Sequence, residues 1–227
     1  MNESSGTHYI DDYRAYVAEI RERFPDDAMA IAVGGGDFVR VGTQQVSLLK
    51  NFGLTAGHFI VDVGCGSGRL AAGLTQTYGD EITYLGLDVV QDLLDHGRTM
   101  ADPSYRFALN TELTIPVADQ SCDFIVYFSV VTHLLHEESF KYLRDAARAL
   151  KHDGTLVVTF LESRRHWSIF ERVVNIYDMP DVKEPLVMFI ERSMLEVWVE
   201  QLGLRIEQIV SFDPPDQSIA VLKPRAD

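Results

Sequence analysis

With 227 residues, 20 lysines and arginines against 34 aspartates and glutamates, and a formal net charge of −14, the chain has the length of one α/β domain with a modest lid. So acidic a protein repels polyanions, which argues against nucleic acid and anionic membrane as partners. The opening MNESSGTHYIDDYRAY has no basic or apolar signal region, and no later stretch is apolar for the roughly 20 residues a bilayer demands, so a soluble cytoplasmic protein is expected. Oligomeric state is not legible from composition.

The tail NESSG precedes an amphipathic helix from about His8 to Phe24, where Tyr9, Tyr13, Tyr16, Val17 and Ile20 recur at helical spacing and Pro25 stops the chain. Gly34, Gly35 and Gly36 make a break, after which Thr43 is placed to cap a second helix, QQVSLLKNFG, closed by Gly53. From Phe59 onward short apolar runs alternate with helical patterns, the sign of parallel strands joined by crossover helices. The strands are FIVDV (59–63), TYLGLD (83–88), YRFAL (105–109), DFIVYF (123–128) and TLVVTF (155–160), with helices near 69–78, 90–100 and 140–150 between them. Residues 161–190 break the rhythm and read as an insertion above the sheet. Ser193 and Glu196 suit a capping box for the helix MLEVWVEQLG, and RIEQIVSFD, PPDQ and SIAVLKP form a hairpin. The fold expected is α/β, doubly wound, with a mostly parallel seven-stranded sheet, a C-terminal antiparallel hairpin strand and helices on both faces.

The sharpest signal is Val61-Asp62-Val63-Gly64-Cys65-Gly66-Ser67-Gly68-Arg69-Leu70, a glycine-rich turn between a buried strand and a helix. Its spacing is neither G-x-G-x-x-G nor a phosphate loop, and an acidic residue two positions before the first glycine suits an ammonium-bearing ligand. Asp88 ends the second strand, where a carboxylate can accept both ribose hydroxyls. Cys65 and Cys122, the two cysteines, are spaced neither for a disulfide framework nor for a metal knuckle and are expected to be free thiols.

DVGCGSG, the LGLD strand end and LNTELTIPVADQSCDFIV resemble, in order, the motifs of class I S-adenosylmethionine (SAM)-dependent methyltransferases, a likeness covering roughly residues 39 to 222. The resemblance implies a SAM-dependent methyltransferase with S-adenosyl-L-methionine as cofactor. It places Asp62, Gly64, Cys65, Gly66 and Gly68 in the methionine-binding loop, Asp88 on the ribose and Val89 against the adenine. Asn110, Thr111 and Glu112 fall where the family has an aspartate for the adenine amino group; Thr111 departs from that pattern, which leaves backbone groups, Asn110 or Glu112 for the task. Ser129 and Val130 would cover the methionine portion. The resemblance also divides one domain, 1–227, into N-terminal helices and cofactor lid (1–53), SAM-binding core (54–160), substrate lid (161–192), and C-terminal helix and hairpin (193–227).

His133, after the fourth strand, is the candidate general base, because an imidazole titrates near neutrality; the alternative is a helix-start histidine packed under the lid. His133, His136 and Glu137 follow H-x-x-H-E, which matches no zinc motif, so no metal is expected. Trp167, Phe170 and Tyr177 wall a substrate pocket or serve as plain core. Phe38 and Arg40 follow the triple glycine, and Arg40 either pairs with the cofactor carboxylate or is a surface arginine. The function expected is methyl transfer to a small molecule on O, N or C. The rivals are a SAM-binding sensor that transfers nothing, a protein methyltransferase, and a nicotinamide-dependent oxidoreductase, whose glycine spacing is missing here.

Overall fold

The computed structural model describes residues 8–35, 37–176, 178–179, 185–212 and 216–225. Gly36, Tyr177 and the two prolines of the PPDQ turn lie outside them.

Helix α1 (His8–Arg23) buries Tyr9, Ile10, Val17 and Ile20, and the Phe24 N–H bonded to the Ile20 carbonyl ends it one residue before Pro25. A one-turn helix α2 (Ala28–Ile31) follows. Helix α3 (Phe38–Asn51) then starts earlier than the sequence suggests, because Asp37 caps it by accepting the Arg40 N–H at 3.0 Å. Thr43 therefore sits inside α3, its hydroxyl donating to the Val39 carbonyl. Among the described residues, three helices rather than two precede the sheet.

Strands β1 (Phe59–Val63), β2 (Thr83–Asp88), β3 (Arg106–Leu109), β4 (Cys122–Tyr127) and β5 (Leu150–Phe160) pair in parallel, joined by α4 (Arg69–Tyr78), α5 (Gln91–Met100) and α6 (His136–Ala149). After α7 (Trp167–Ile176) and α8 (Arg192–Gln201) come β6 (Leu204–Phe212) and β7 (Gln217–Pro224). The order β3-β2-β1-β4-β5-β7-β6 makes a seven-stranded sheet, with β7 antiparallel to both β5 and β6. The doubly wound α/β architecture and its terminal antiparallel hairpin are thus as the sequence implies.

Apolar side chains cover both faces of the sheet. Val46 and Leu49 of α3, Leu70 and Leu74 of α4 and Leu94 of α5 pack on one face. Tyr9 and Ile10 of α1, Tyr142, Leu143 and Ala146 of α6, and Leu195 and Val199 of α8 pack on the other. Each fully buried leucine stabilises the fold by about 1.5–3 kcal/mol relative to exposure. Helices α3 and α4 approach closely enough that a Cβ on Gly42 would lie 2.5 Å from the Arg69 carbonyl oxygen. That contact sets the start of α4, and with it Arg69, beneath the N-terminal segment.

A further sequence expectation changes here. Glu191, not Ser193, occupies the N-cap position of α8, and Ser193 lies within the helix. The Glu191 carboxylate is taken by the Ser163 N–H, and Arg192 turns to Glu162, so no side chain caps α8. The insertion after β5 forms α7, in which no residue is buried and Trp167 is 58% exposed.

Candidate functional site

In an open parallel sheet the crevice forms at the carboxyl ends of the strands where the order reverses, here between β1 and β4. A cavity of about 500 Å³ lies there, lined by the glycine turn, the end of β2, the residues after β4, helix α1 and residues 32–35.

The turn after β1 owes its shape to glycine. Gly64 has φ +66°, and a Cβ on it would lie 2.5 Å from Cγ2 of Val130; Gly66 has φ +56°, and a Cβ there would overlap Cγ1 of Val33. Both positions therefore keep bare backbone against the cavity. Gly68, at φ +86°, opens α4 against Gly97 and does not line the cavity.

Two buried carboxylates flank the turn. Asp62 is 2% exposed and accepts the Tyr84 hydroxyl at 2.8 Å; burial pushes its pKa up to about 7, and the neighbouring Asp88 adds to the rise. Asp88 accepts the backbone N–H of Gly66 and of Val90, each at 2.9 Å; burial nevertheless pushes its pKa up to about 6. A buried carboxylate raised by desolvation gains from a cation or from further donors, which is what an ammonium and two ribose hydroxyls provide. Cys65 also lines the cavity, its thiol pushed well up by burial.

Beyond Asp88 the cavity meets Val89, Asn110 and Glu112. The Asn110 amide nitrogen contacts the carbonyls of Glu112 and Thr114 and the Tyr142 hydroxyl, so it fixes the loop. Thr111 is not part of the lining and offers its carbonyl to the Tyr9 hydroxyl at 3.0 Å.

After β4 the backbone turns sharply at Ser129, a non-glycine residue at φ +61°. Its N–H donates to Oγ1 of Thr159 and its hydroxyl to Oε1 of Gln217. Val130 and His133 follow in the lining. Nδ1 of His133 is 2.7 Å from the Leu186 carbonyl, a contact that assigns the proton to Nδ1 and leaves Nε2 as the basic nitrogen. Burial holds this imidazole below the ordinary histidine value. Tyr13 of α1 meets the ring edge-on at 5.2 Å, and Arg172, Pro185 and Val187 of the 161–190 insertion also line the cavity, the last two flanking the Leu186 that bonds to His133.

The structure thus brings Asp62, Gly64, Cys65, Gly66, Asp88, Val89, Asn110, Glu112, Ser129, Val130 and His133 to one cavity, and leaves Gly68, Thr111 and Arg40 off it. Arg40 is exposed on α3, its guanidinium beside Oε1 of Gln44. Trp167 and Phe170 stack on each other at 5.1 Å without lining the cavity, Tyr177 lies outside the described residues, and Nε2 of His136 meets the Phe189 carbonyl. Among the described residues no cluster of three histidine, cysteine or acidic side chains is placed to hold a metal.

Sequence reasoning missed Tyr13, Gln45, Arg69, Arg172 and Gln217, all of which line the cavity. Tyr13 was visible only as a helix-face aromatic, and Arg69 followed the glycine turn as one more residue of α4. Nothing in the local pattern marks Gln217, which reaches the site through the antiparallel return of β7.

Residues 60–154 match a family model described as "Methyltransferase domain". The chain is similar to a demethylmenaquinone methyltransferase of Tropheryma whipplei, 29% identical over 204 residues that cover 85% of this chain and 83% of the relative. It is also similar to the methyltransferase GfsG of Streptomyces halstedii, 30% identical over 51% of this chain and 41% of that one. Its fold matches the crystal structure of magnesium protoporphyrin IX methyltransferase from Synechocystis with bound SAH, at TM-score 0.69 and 17% identity, covering 95% of this chain and 97% of that one. The matched segment contains the glycine turn, Asp88 and the reversal point of the sheet, so the likeness to methyltransferases falls on the residues that build the cavity.

Proposed function

We propose that the chain methylates a small-molecule acceptor, with the cofactor held between the glycine turn and Asp88 and the acceptor presented at His133. The observation that carries this reading is the single cavity that joins Asp62, Asp88 and His133. Bound SAM supplies a methyl group on a sulfonium, whose thioether leaves neutral.

In this reading Asp62 takes the ammonium, the backbone of Gly64 and Gly66 approaches the methionine portion, Asp88 accepts the ribose hydroxyls, and Val89, Asn110 and Glu112 border the adenine. Residues 1–53 form the cofactor lid, 54–160 the binding core, 161–192 the substrate lid, and 193–227 the C-terminal helix and hairpin. Ser129 and Val130 close the site beside the transferred carbon, and Tyr13, Pro185 and Val187 exclude water from it. Nε2 of His133 removes the acceptor's proton as the bond to the methyl carbon forms.

The acceptor is best read as an acidic hydroxyl or an activated ring carbon rather than a protonated amine. Among the described lining residues the carboxylates are Asp62, Asp88 and Glu112, all around the cofactor half, while the acceptor end presents His133, Tyr13 and Arg172. None of the described residues at that end supplies a counter-charge for an ammonium acceptor. The relative named for demethylmenaquinone is consistent with this chemistry.

The test is transfer of a radiolabelled methyl group from SAM to three acceptor sets: phenols and quinols, primary amines, and a basic peptide. Labelling of the first set supports the reading; labelling confined to the peptide replaces it with a protein methyltransferase. Tight SAM binding with no transfer to any set points to a sensor.

A further inference from the structure

Gln217 lines the cavity, is 8% exposed, and has no part in holding the cofactor in the reading above. Its Oε1 accepts the Ser129 hydroxyl at 3.2 Å, while its Nε2 carries two N–H donors that meet no acceptor among the described residues. With Oε1 held by Ser129, the nitrogen is the end left for the cavity. A buried amide nitrogen goes without acceptors only at a cost, so one that borders a cavity marks where a ligand oxygen is wanted.

The amide sits on a rigid base. Gln217 opens β7 and pairs with Phe212 across the hairpin, and the next residue, Ser218, pairs with Phe160 of β5. The Ser218 hydroxyl donates to the Glu162 carboxylate, which Arg192 grips through Nε at 2.7 Å and Nη2 at 3.3 Å. These bonds fix the start of β7 against the end of β5. Ser129 is fixed as well, at φ +61°, by its N–H bond to Oγ1 of Thr159 at 2.7 Å. Four residues on, His133 lines the same cavity with Nε2 as its basic nitrogen. The Ser129 turn therefore ties a hydrogen-bond donor, Gln217, to the loop that carries the base.

Resting on the function proposed above, we propose that Gln217 selects the acceptor: its Nε2 donates to a second oxygen, adjacent to the hydroxyl or carbon that takes the methyl group. Because Ser129 closes the site beside the transferred carbon, an oxygen bonded to Gln217 belongs on the ring position next to the reacting one. The acceptor class narrows from phenols and quinols at large to those with a neighbouring ether, carbonyl or hydroxyl oxygen. An acceptor without that oxygen leaves the amide N–H groups unpaired and is discriminated against for that reason.

The test uses the full chain with SAM and two phenols of nearly the same shape: 2-methoxyphenol, and 2-ethylphenol, in which a methylene replaces the ether oxygen. Wild-type kcat/KM should favour 2-methoxyphenol by about tenfold, the worth of one well-placed hydrogen bond. Gln217→Glu keeps an oxygen for the Ser129 hydroxyl but sets a carboxylate oxygen where the N–H donors were. At pH 8 the preference should therefore shrink to within about twofold or reverse. A glutamine that only braced the turn would behave otherwise: Gln217→Glu would keep the wild-type preference, and Gln217→Met, which loses the Ser129 bond, would slow both phenols alike. Independently of transfer, the Gln217 side-chain amide resonance, assigned by its absence in Gln217→Glu, should move when 2-methoxyphenol is added to the SAH-loaded chain. It should move much less with 2-ethylphenol. Equal wild-type kcat/KM for the two phenols, an unmoved resonance, or an unchanged preference in Gln217→Glu would overturn the proposal. Absence of SAM binding would instead remove the cofactor reading, and SAM binding without transfer to either phenol would remove the acceptor reading on which the proposal rests.

Discussion

The Asp88 carboxylate accepts the Gly66 N–H at 2.9 Å, so the end of β2 braces from behind the glycine turn that follows β1. One side chain thus does two jobs: it fixes the turn and offers its remaining lone pairs to the cavity. Asp88→Asn keeps the shape but sets an amide N–H against one of two backbone N–H donors. We expect a loss of about 1–3 kcal/mol in stability and a fall of about 10- to 100-fold in SAM affinity. Chemical denaturation and titration calorimetry check the two separately; unchanged SAM affinity would remove Asp88 from the cofactor site.

The pH dependence of stability follows from Asp62 and Asp88, raised to about 7 and about 6 from the ordinary aspartate value of 3.8. Between about pH 4 and 7 the folded chain keeps protons that the unfolded chain has released, so these groups lower the stability of the ligand-free protein as pH rises through that window. His133, held below its usual value, tilts the other way near pH 6. Asp123, Asp145 and Glu162 have lowered pKa values, and their contribution is lost below the window, as pH falls through those values. The diagnostic is therefore the difference between wild type and Asp62→Asn: the variant should lose less melting temperature between pH 5 and pH 7.5. Parallel curves would show that Asp62 ionises normally.

The strand alternation, the glycine turn and the Asp88 strand end were legible in the sequence because each is local: a buried run, a positive-φ turn, a carboxylate at a fixed distance along the chain. The helix caps at Asp37 and Glu191 were not, since Thr43 and Ser193 are equally good cap residues and the choice was made by tertiary contacts such as Ser163 with Glu191 and Glu162 with Arg192. Arg69 and Arg40 show the same limit at the site. Both are arginines near a glycine-rich segment, and only the close packing of α3 on α4 turns one inward and leaves the other exposed.

His133→Gln should separate binding from transfer. The substitution leaves the glycine turn and Asp88 untouched, so SAM affinity should stay within about threefold, while the rate of transfer to a hydroxyl acceptor falls by about 10²–10⁴, the usual contribution of a positioned base. Because burial keeps the imidazole below its ordinary value, the wild-type rate should be flat above neutrality and fall only on the acid side. A variant with the wild-type rate and pH profile would mean that the acceptor arrives already deprotonated or reacts through carbon.

Cys65 and Cys122 are both buried and free, and burial raises both thiols. The thiolate is the reactive form, so the folded protein should react with an aromatic disulfide reagent at pH 8 far more slowly than the unfolded chain, in which both thiols titrate. If SAM packs against Cys65, which lines the cavity between Gly64 and Gly66, ligand should slow its residual reaction further and leave that of Cys122 unchanged. Rapid native labelling of Cys65 would show that the glycine turn opens to solvent without the ligand.

Gly66 and Val33 offer a sharper test of the strap of residues 32–35 that lines the cavity, because their contact is steric and reversible by a second substitution. A Cβ at position 66 would collide with Cγ1 of Val33, and the φ of +56° disfavours any side chain there. Gly66→Ala should therefore combine about 1–2 kcal/mol of backbone strain with displacement of the strap, and SAM affinity should drop by at least about tenfold. Adding Val33→Ala removes the colliding methyl but leaves the backbone strain. The double variant should recover much of the affinity while its denaturation midpoint stays low. Recovery of both would place the damage in packing alone, and recovery of neither would mean that residue 66 meets the ligand directly through its backbone, with the strap a bystander.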